Sequence, residues 1–454
     1  MAAPSICGPS KQDLFQSTDG RLIEYGVHMK ITISTARRVS GSILIPGDKS
    51  ISHRYAMLAS IAEGTTKIQN YSTGADCQST LGCMSALGIQ IDKTGNEVQV
   101  HGKGLHGLTE PADTLDAGNS GSTIRMLSGI LAAQPFRCRI AGDESLSRRP
   151  MVRIMKPLSE MGATVTAHDG KFPPLEIKGG PLKAIDYTLP VASAQVKTCV
   201  LFAGLYADGT TTVRESIRTR DHSELALREF GADITRAGGA ISIEGKPTLQ
   251  ARDLVVPGDL SSAAFFLVAA MILPGSELTL QAVGLNPTRS ALIDFLISMG
   301  ADIKVPMIQE MGGELIGNLK IRGGRITGGL IEKALTAAVI DEIPVLAVLG
   351  ALSETGLTVR DASELRIKET DRIATMAENF SRMGVTMEVL EDGFHVPGQQ
   401  KFHGAQLDSF GDHRIAMACA VAALAADGDC VIDNADAASV SYPEFYATLG
   451  SITH

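Results

Sequence analysis

The chain has 454 residues, 44% of them hydrophobic and 20% charged, with 47 glycines; this exceeds one ordinary core and indicates a globular protein of two or more domains. A net charge of −9, 4% aromatics and no tryptophan argue against a nucleic-acid partner, which would want a basic face and stacking platforms. An anionic ligand would therefore have to be held by a local basic cluster working against the overall field.

Residues 1–28 have no signal-like apolar core and contain Asp13, Asp19 and Glu24, so they are expected to be an extension ahead of the fold. The fold is expected to start at the strand-like Lys30-Ile31-Thr32-Ile33. No apolar run reaches the ~18 residues of a membrane helix. Seven scattered cysteines with no CxxC or Cys/His spacing fit reduced thiols in a cytoplasmic protein.

From there the chain repeats itself six times: a turn, an apolar Ala-rich helix, a Gly-containing stop and a strand. The copies begin near Pro46-Gly47-Asp48, Ala117-Gly118-Asn119, Pro190-Val191-Ala192, Pro257-Gly258-Asp259, Ile340-Asp341-Glu342 and Gly411-Asp412-His413. Copies one and four agree closely, Ile45-Pro46-Gly47-Asp48 against Val256-Pro257-Gly258-Asp259. A second, amphipathic helix in each copy ends before a glycine (Gly88, Gly162, Gly231, Gly300, Gly384 and Gly450), where a left-handed cap is expected. Three copies make a domain of ~200 residues. Modules 1–3 would occupy 49–256, and modules 4–6 would occupy 257–454 together with 29–48. The strand at 30–45 is expected to pair with the C-terminal half, giving two chain crossings and a hinge.

Five stretches carry charge or polarity that the module does not need. In the first, Lys49 and Arg54 flank Ser50 at the start of an apolar helix, where the dipole disfavours cations and an added anion would resolve the conflict. The second is the small-residue loop Gly118-Asn119-Ser120-Gly121, whose bare N–H groups can cradle an anion, with Arg149 just before Pro150 at a helix start. The third is Ser193-Ala194-Gln195, hydroxyl and amide groups at a helix start, followed by Arg220-Asp221-His222. The fourth joins Asp341-Glu342 to Glu364–Arg372, in which Lys368 and Arg372 are expected on one helix face beside Glu369. The fifth is Asp412-His413-Arg414. Each has a plain alternative: a solvated cation, a serine or aspartate cap, an exposed salt-bridged helix. Taken together they point to two half-sites that bind a small polyanion and move protons on it.

The same motifs resemble the 5-enolpyruvylshikimate-3-phosphate synthases, over essentially the whole chain from residue 29. They are Pro46-Gly47-Asp48-Lys49-Ser50 with Ser52-His53-Arg54, Gly118-Asn119-Ser120-Gly121, Arg149-Pro150-Met151, Ser193-Ala194-Gln195, Arg366–Arg372 and Asp412-His413-Arg414. The resemblance implies a two-domain inverted α/β barrel of the enolpyruvyl transferase type, built from six βαβαββ modules. It implies transfer of enolpyruvyl from phosphoenolpyruvate to the 5-hydroxyl of shikimate 3-phosphate, with no cofactor and no metal, by a monomer with small-molecule substrates and no nucleic-acid or membrane partner.

By resemblance, Lys49, Ser50, Arg54, Ser193, Gln195, Arg220, Asp341 and Lys368 would hold shikimate 3-phosphate. Lys49, Gly121, Arg149, Gln195, Arg372 and Arg414 would meet phosphoenolpyruvate. Asp341, Glu369 and Lys49 would move protons. One branch of the family has Lys before Thr-Phe-Pro near its C-terminus, where this chain has Val440-Ser441-Tyr442-Pro443. Some members of the other branch carry Ala at the place of Gly121 and exclude glyphosate, so Gly121 implies that glyphosate competes here. Two rivals share the fold: a transferase acting on UDP-N-acetylglucosamine, and a non-catalytic anion-binding protein. Ser50 in place of Asn and the lack of a loop Cys speak against the first, and the presence of both carboxylates against the second.

Overall fold

Six helices are rich in small and apolar residues, carry their few charges near their starts and are buried along nearly their whole length; a helix without a continuous polar face belongs in a core. They are α1 (Lys49–Ser60), α2 (Gly121–Leu131), α3 (Ala194–Gly204), α4 (Leu260–Ile272), α5 (Ile343–Leu352) and α6 (His413–Leu424). Every residue of α4 is buried in the computed structural model, which describes residues 29–454. The expected extension 1–28 lies outside the described residues. No described helix is long and apolar enough to cross a membrane.

Five of the six helices start with a side-chain cap that satisfies one of the first free amides. Asp48 accepts from the Ile51 amide at 2.9 Å, Ser120 from Thr123 at 3.0 Å and Ser193 from Val196 at 3.3 Å. Asp259 accepts from Ser261 at 3.1 Å and Asp412 from Arg414 at 2.8 Å. In α5 the cap position is Glu342, which makes no such bond. At α1 and α6 the cations Lys49 and Arg414 therefore stand next to the carboxylate caps Asp48 and Asp412, which answers within the fold the dipole conflict expected there; α2 and α3 have neutral serine caps.

The described strands form six sheets, one per module. In modules 2, 3 and 5 a short strand pairs in parallel with the next, which continues into an antiparallel hairpin, as in Asp186–Thr188, Thr210–Arg214 and Ala240–Glu244. Modules 1 and 4 exchange their first strands. Ser40–Leu44 runs parallel to Glu277–Gln281 of module 4, and Asp253–Val255 runs parallel to Lys67–Gln69 of module 1. Module 6 lacks a hairpin of its own, and Ile31–Ile33 supplies the antiparallel partner of Cys430–Ile432. The stretch 30–45 is thus two strands in two sheets, separated by Ser34–Val39, whose Ala36 and Arg37 amides bond outside any sheet to Leu424 and His454.

The apolar residues fall into two clusters. One holds Ile51 to Val256; the other holds Ala36 to Ile45 together with Leu260 to Ile452. The two passages between them lie side by side. Asp48 N donates to Pro257 O at 2.8 Å and Asp259 N to Pro46 O at 2.9 Å, a reciprocal pair that follows from the matching Pro-Gly-Asp motifs. Gly47 is also pressed against the chain at Asn70, where only glycine fits, since a Cβ on it would stand 1.7 Å from Asn70 O.

Three further expectations change. Gly88, Gly162, Gly231, Gly300 and Gly384 have positive φ after their helices, but Gly450 lies inside the helix Phe445–Ile452, because no strand follows to demand a turn. Lys368 does not share a helix face with Arg372: a 3-10 turn ends at Ile367, and the next helix, Arg372–Arg382, begins after its cap Asp371. Pro150 sits one residue before the cap Met151 rather than in the first helical turn.

Candidate active site

The starts of all six inner helices, or the residues beside them, face a cavity of about 310 Å³ between the two clusters. Of the residues singled out from the sequence, Lys49, Ser50, Gly121, Arg149, Ser193 and Gln195 line it from the N-terminal half, with Arg220. Asp341, Lys368, Glu369, Arg372 and Arg414 line it from the C-terminal half. Arg54 does not reach the wall. Its guanidinium donates to Ser50 O at 2.7 Å, Ser223 Oγ at 2.7 Å and Thr198 Oγ1 at 2.9 Å, so it braces the first turn of α1 from behind.

Opposite charges meet across the cavity. Arg220 Nη2 donates to Asp341 Oδ2 at 2.9 Å, and Arg149 Nη1 to Glu369 Oε1 at 3.2 Å. Farther out, Arg153 Nη2 pairs with Glu364 Oε1 at 2.9 Å. Asp341 also has Lys368 Nζ at 3.4 Å and Arg372 Nη1 at 3.6 Å. Although it was also expected to serve as a helix cap, it bonds cations instead. Burial alone would raise its pKa, but Lys368, Arg220, Arg414 and Arg372 hold it well below the usual carboxylate range. Glu369 is likewise depressed: burial would raise it, but Arg372, Arg149 and Lys49 outweigh that burial. Both carboxylates are therefore ionised.

Arg372 is 2% exposed and bonds Asp412 at 2.8 Å and Glu369 at 2.6 Å, so it is fixed before any ligand arrives. Lys49 bonds Asp76 Oδ2 at 3.0 Å; burial would lower its pKa, but Asp76 and Glu369 keep it raised and the ammonium charged. His413, buried among Lys49, Arg414 and Arg372, has both ring nitrogens unpaired and is held neutral, chiefly by burial and then by Lys49. Gln195 is fixed on both sides: its Oε1 accepts from Arg125 at 2.8 Å and its Nε2 donates to Ser122 Oγ at 2.9 Å. A Cβ on Gly121 would meet Arg125 Nη1 at 2.8 Å, so this glycine keeps space open beside two guanidiniums.

The sequence reading missed Asp76, Arg125 and Arg289. Arg125 had a signal, since it follows Gly121 by one helical turn. Asp76 had none, because it opens a different helix and meets Lys49 only in the fold. Near the C-terminus, Val440 and Ser441 lie against Gly74, and Val440 is not on the cavity wall, so this stretch contributes packing where one branch of the resembling family has Lys.

The arrangement offers several cations to a small polyanion and places two carboxylates beside them for proton transfer. A family model described as EPSP synthase (3-phosphoshikimate 1-carboxyvinyltransferase) matches residues 33–449. A 3-phosphoshikimate 1-carboxyvinyltransferase from Solibacter usitatus is 67% identical over 420 residues, covering 92% of this chain and 99% of the relative. One from Koribacter versatilis is 52% identical over 423 residues, covering 93% and 99%. The solved structure of EPSP synthase from Acinetobacter baumannii superposes with a TM-score of 0.84 at 41% identity, covering 94% of this chain and 98% of that one.

Proposed function

The chain belongs to the EPSP synthase family, and from that premise we propose how its cleft carries the reaction. It is a transferase that moves the enolpyruvyl group of phosphoenolpyruvate to the 5-hydroxyl of shikimate 3-phosphate and releases phosphate. The observation that carries the residue assignment is the meeting of two charged pairs across the cavity, Arg220 with Asp341 and Arg149 with Glu369.

Shikimate 3-phosphate lies against Lys49, Ser50, Ser193, Gln195 and Arg220 and reaches Asp341 and Lys368 on the other wall. Arg54 serves it by fixing Ser50. Phosphoenolpyruvate lies between Lys49, Gly121, Arg149 and Gln195 on one side and Arg372 and Arg414 on the other. Both substrates are anions, and both engage guanidiniums that lower the pKa of the two carboxylates. Occupancy therefore weakens that field and makes Asp341 and Glu369 more basic at the moment of reaction.

Asp341 then takes the 5-hydroxyl proton as that oxygen bonds to C2 of phosphoenolpyruvate. Glu369, which takes up a proton as its basicity rises on substrate binding, delivers it with the assistance of Lys49 to the methylene carbon, giving a tetrahedral intermediate. Elimination reverses the proton flow: the Glu369 carboxylate takes back a methyl proton, the bond from C2 to the phosphate oxygen breaks as the double bond is restored, and the proton held by Asp341 passes to the departing phosphate. The leaving dianion is stabilised by charges already in place, which spares reorganisation. The halves that meet at the cavity are residues 49–256 and residues 29–48 with 257–454. A cytoplasmic monomer completes the reading, and light scattering should return the mass of one chain. Glyphosate should compete with phosphoenolpyruvate at Gly121.

Phosphate release from phosphoenolpyruvate tests the reaction. It should occur with shikimate 3-phosphate and not with UDP-N-acetylglucosamine, and the reverse preference would replace this reading with its rival.

A further inference from the structure

One buried cation outside the assigned set touches both chain passages. Arg289, 4% exposed, follows Asn286-Pro287-Thr288 in the C-terminal half. Its Nη1 is 3.4 Å from Asp48 Oδ2, and its Nη2 is 3.4 Å from Asp259 Oδ1 and 3.8 Å from Glu342 Oε1. Nη2 also donates to Ser261 Oγ, which itself donates to Glu342 Oε1. These three carboxylates occupy the cap positions of α1, α4 and α5. The residue after Asp48 is Lys49, and the residue before Glu342 is Asp341.

The same segment reaches a third wall of the cavity. Asn286 Nδ2 donates to Asp221 Oδ1 and to Glu314 Oε2, each at 2.9 Å, and Asp221 directly follows Arg220. Three groups of the proposed mechanism, drawn from both halves, thus have a chain neighbour tied to four consecutive residues.

A solvated lysine could pair with one of the three acids. A guanidinium can address several acceptors at once through its fixed planar fork, and burial makes that geometry stiff. Burial alone would lower the pKa of Arg289, but Asp48, Asp259 and Glu342 keep it above its ordinary value, so the charge is permanent. Asp259 is raised by its burial and by the facing Asp48.

We propose that Arg289 is a positioning residue for the transfer: by holding Asp48 and Glu342 on one guanidinium it keeps Lys49 of one half in register with Asp341 of the other. Arg289 lies at the cavity wall, but its guanidinium is committed to these acids and to Ser261, and it acts through them. Most side chains proposed to hold shikimate 3-phosphate belong to the N-terminal half. A loss of register should therefore slow the chemical step and leave binary binding of that substrate almost unchanged.

The inference rests on the proposed reaction, so wild-type turnover is measured first; an inactive wild type overturns both. Arg289→Lys, Glu342→Gln and the double variant are then compared by steady-state kinetics, by direct titration with shikimate 3-phosphate alone and by thermal melting. Each single variant should lose about tenfold or more in kcat with the binary Kd held within about threefold. The double variant should be no slower than the slower single, because both act through one contact. With an active wild type, a kcat within about twofold in both singles overturns this inference alone. So does a loss of kcat that multiplies in the double or that runs in parallel with lost binding and a lowered melting point. If Arg289→Lys does not fold, Glu342→Gln decides: slowed turnover with intact binding supports the role, and unaltered turnover overturns it.

Discussion

The two halves of the cleft are built from the same module and do different chemistry. In the N-terminal half, α2 and α3 start on the hydroxyl caps Ser120 and Ser193, and the facing cations Arg149 and Arg220 find their carboxylate partners only across the cavity. In the C-terminal half, α4, α6 and the helix Arg372–Arg382 start on Asp259, Asp412 and Asp371, and Arg372 is already bound to Asp412 and Glu369. A neutral cap leaves the helix dipole and a nearby cation to be answered by a ligand, and an acidic cap answers them within the fold. One half is thus arranged to bind anions and the other to hold two ionised carboxylates beside them.

The largest effects should come from removing the carboxylates. Asp341→Ala and Glu369→Gln should each lower kcat by roughly two to four orders of magnitude, the usual worth of a positioned acid or base. Binary binding of shikimate 3-phosphate should survive Glu369→Gln. If either variant turns over at near wild-type rate, the division between a binding half and a reacting half breaks at that residue.

Arg372→Met should act on stability as well as on activity, because it leaves Asp412, itself fully buried, without its cation. Breaking such a buried pair costs about 3–5 kcal/mol, which chemical denaturation can read. Arg149→Met, on the other half, should cost far less stability, since Arg149 has hydroxyl and amide partners at Ser145 and Asn119 and its carboxylate partner only across the cavity. Equal destabilisation by the two would erase the contrast between committed and available cations.

Gly121→Ala puts a methyl group against Arg125 and 3.7 Å from Arg149. Inhibition by glyphosate should weaken by about tenfold or more, within what one methyl is worth in a tight pocket, while the KM for phosphoenolpyruvate rises less. Unchanged inhibition would show that the space beside Gly121 is not used by that ligand.

The remaining contrast concerns acid. Burial, with Lys49 and Arg54, keeps His53 neutral well below the ordinary value of 6.5, and burial with Lys49 and Arg414 does the same for His413. The folded pKa values lie below the unfolded ones, so this stability is complete above about pH 6.5 and falls as the pH drops below it. Each histidine should contribute a slope of up to about 1.4 kcal/mol per pH unit. Denaturation at pH 5 and pH 7 checks this, and His53→Asn should flatten the difference. An unchanged slope would remove His53 from the account.

The sequence by itself determined the repeat and the end of each module that faces the site. The pattern of Ala-rich runs, Pro-Gly-Asp turns and terminal glycines is local, and local propensity acts within a few residues of where it is written. Most wall residues were legible for the same reason, since a cation or a small-residue loop at the start of a buried helix is visible along the chain. Tertiary structure decided what depends on contacts between distant residues. The strand exchange between modules 1 and 4 and the completion of module 6 by Ile31–Ile33 satisfy edges that no local pattern can close. That Arg54 stands behind the wall, that Lys49 is held by Asp76 and that Arg289 gathers three acids were also settled there. A charge can be read from the sequence, but its partner is chosen by which helix starts the fold brings within about 4 Å.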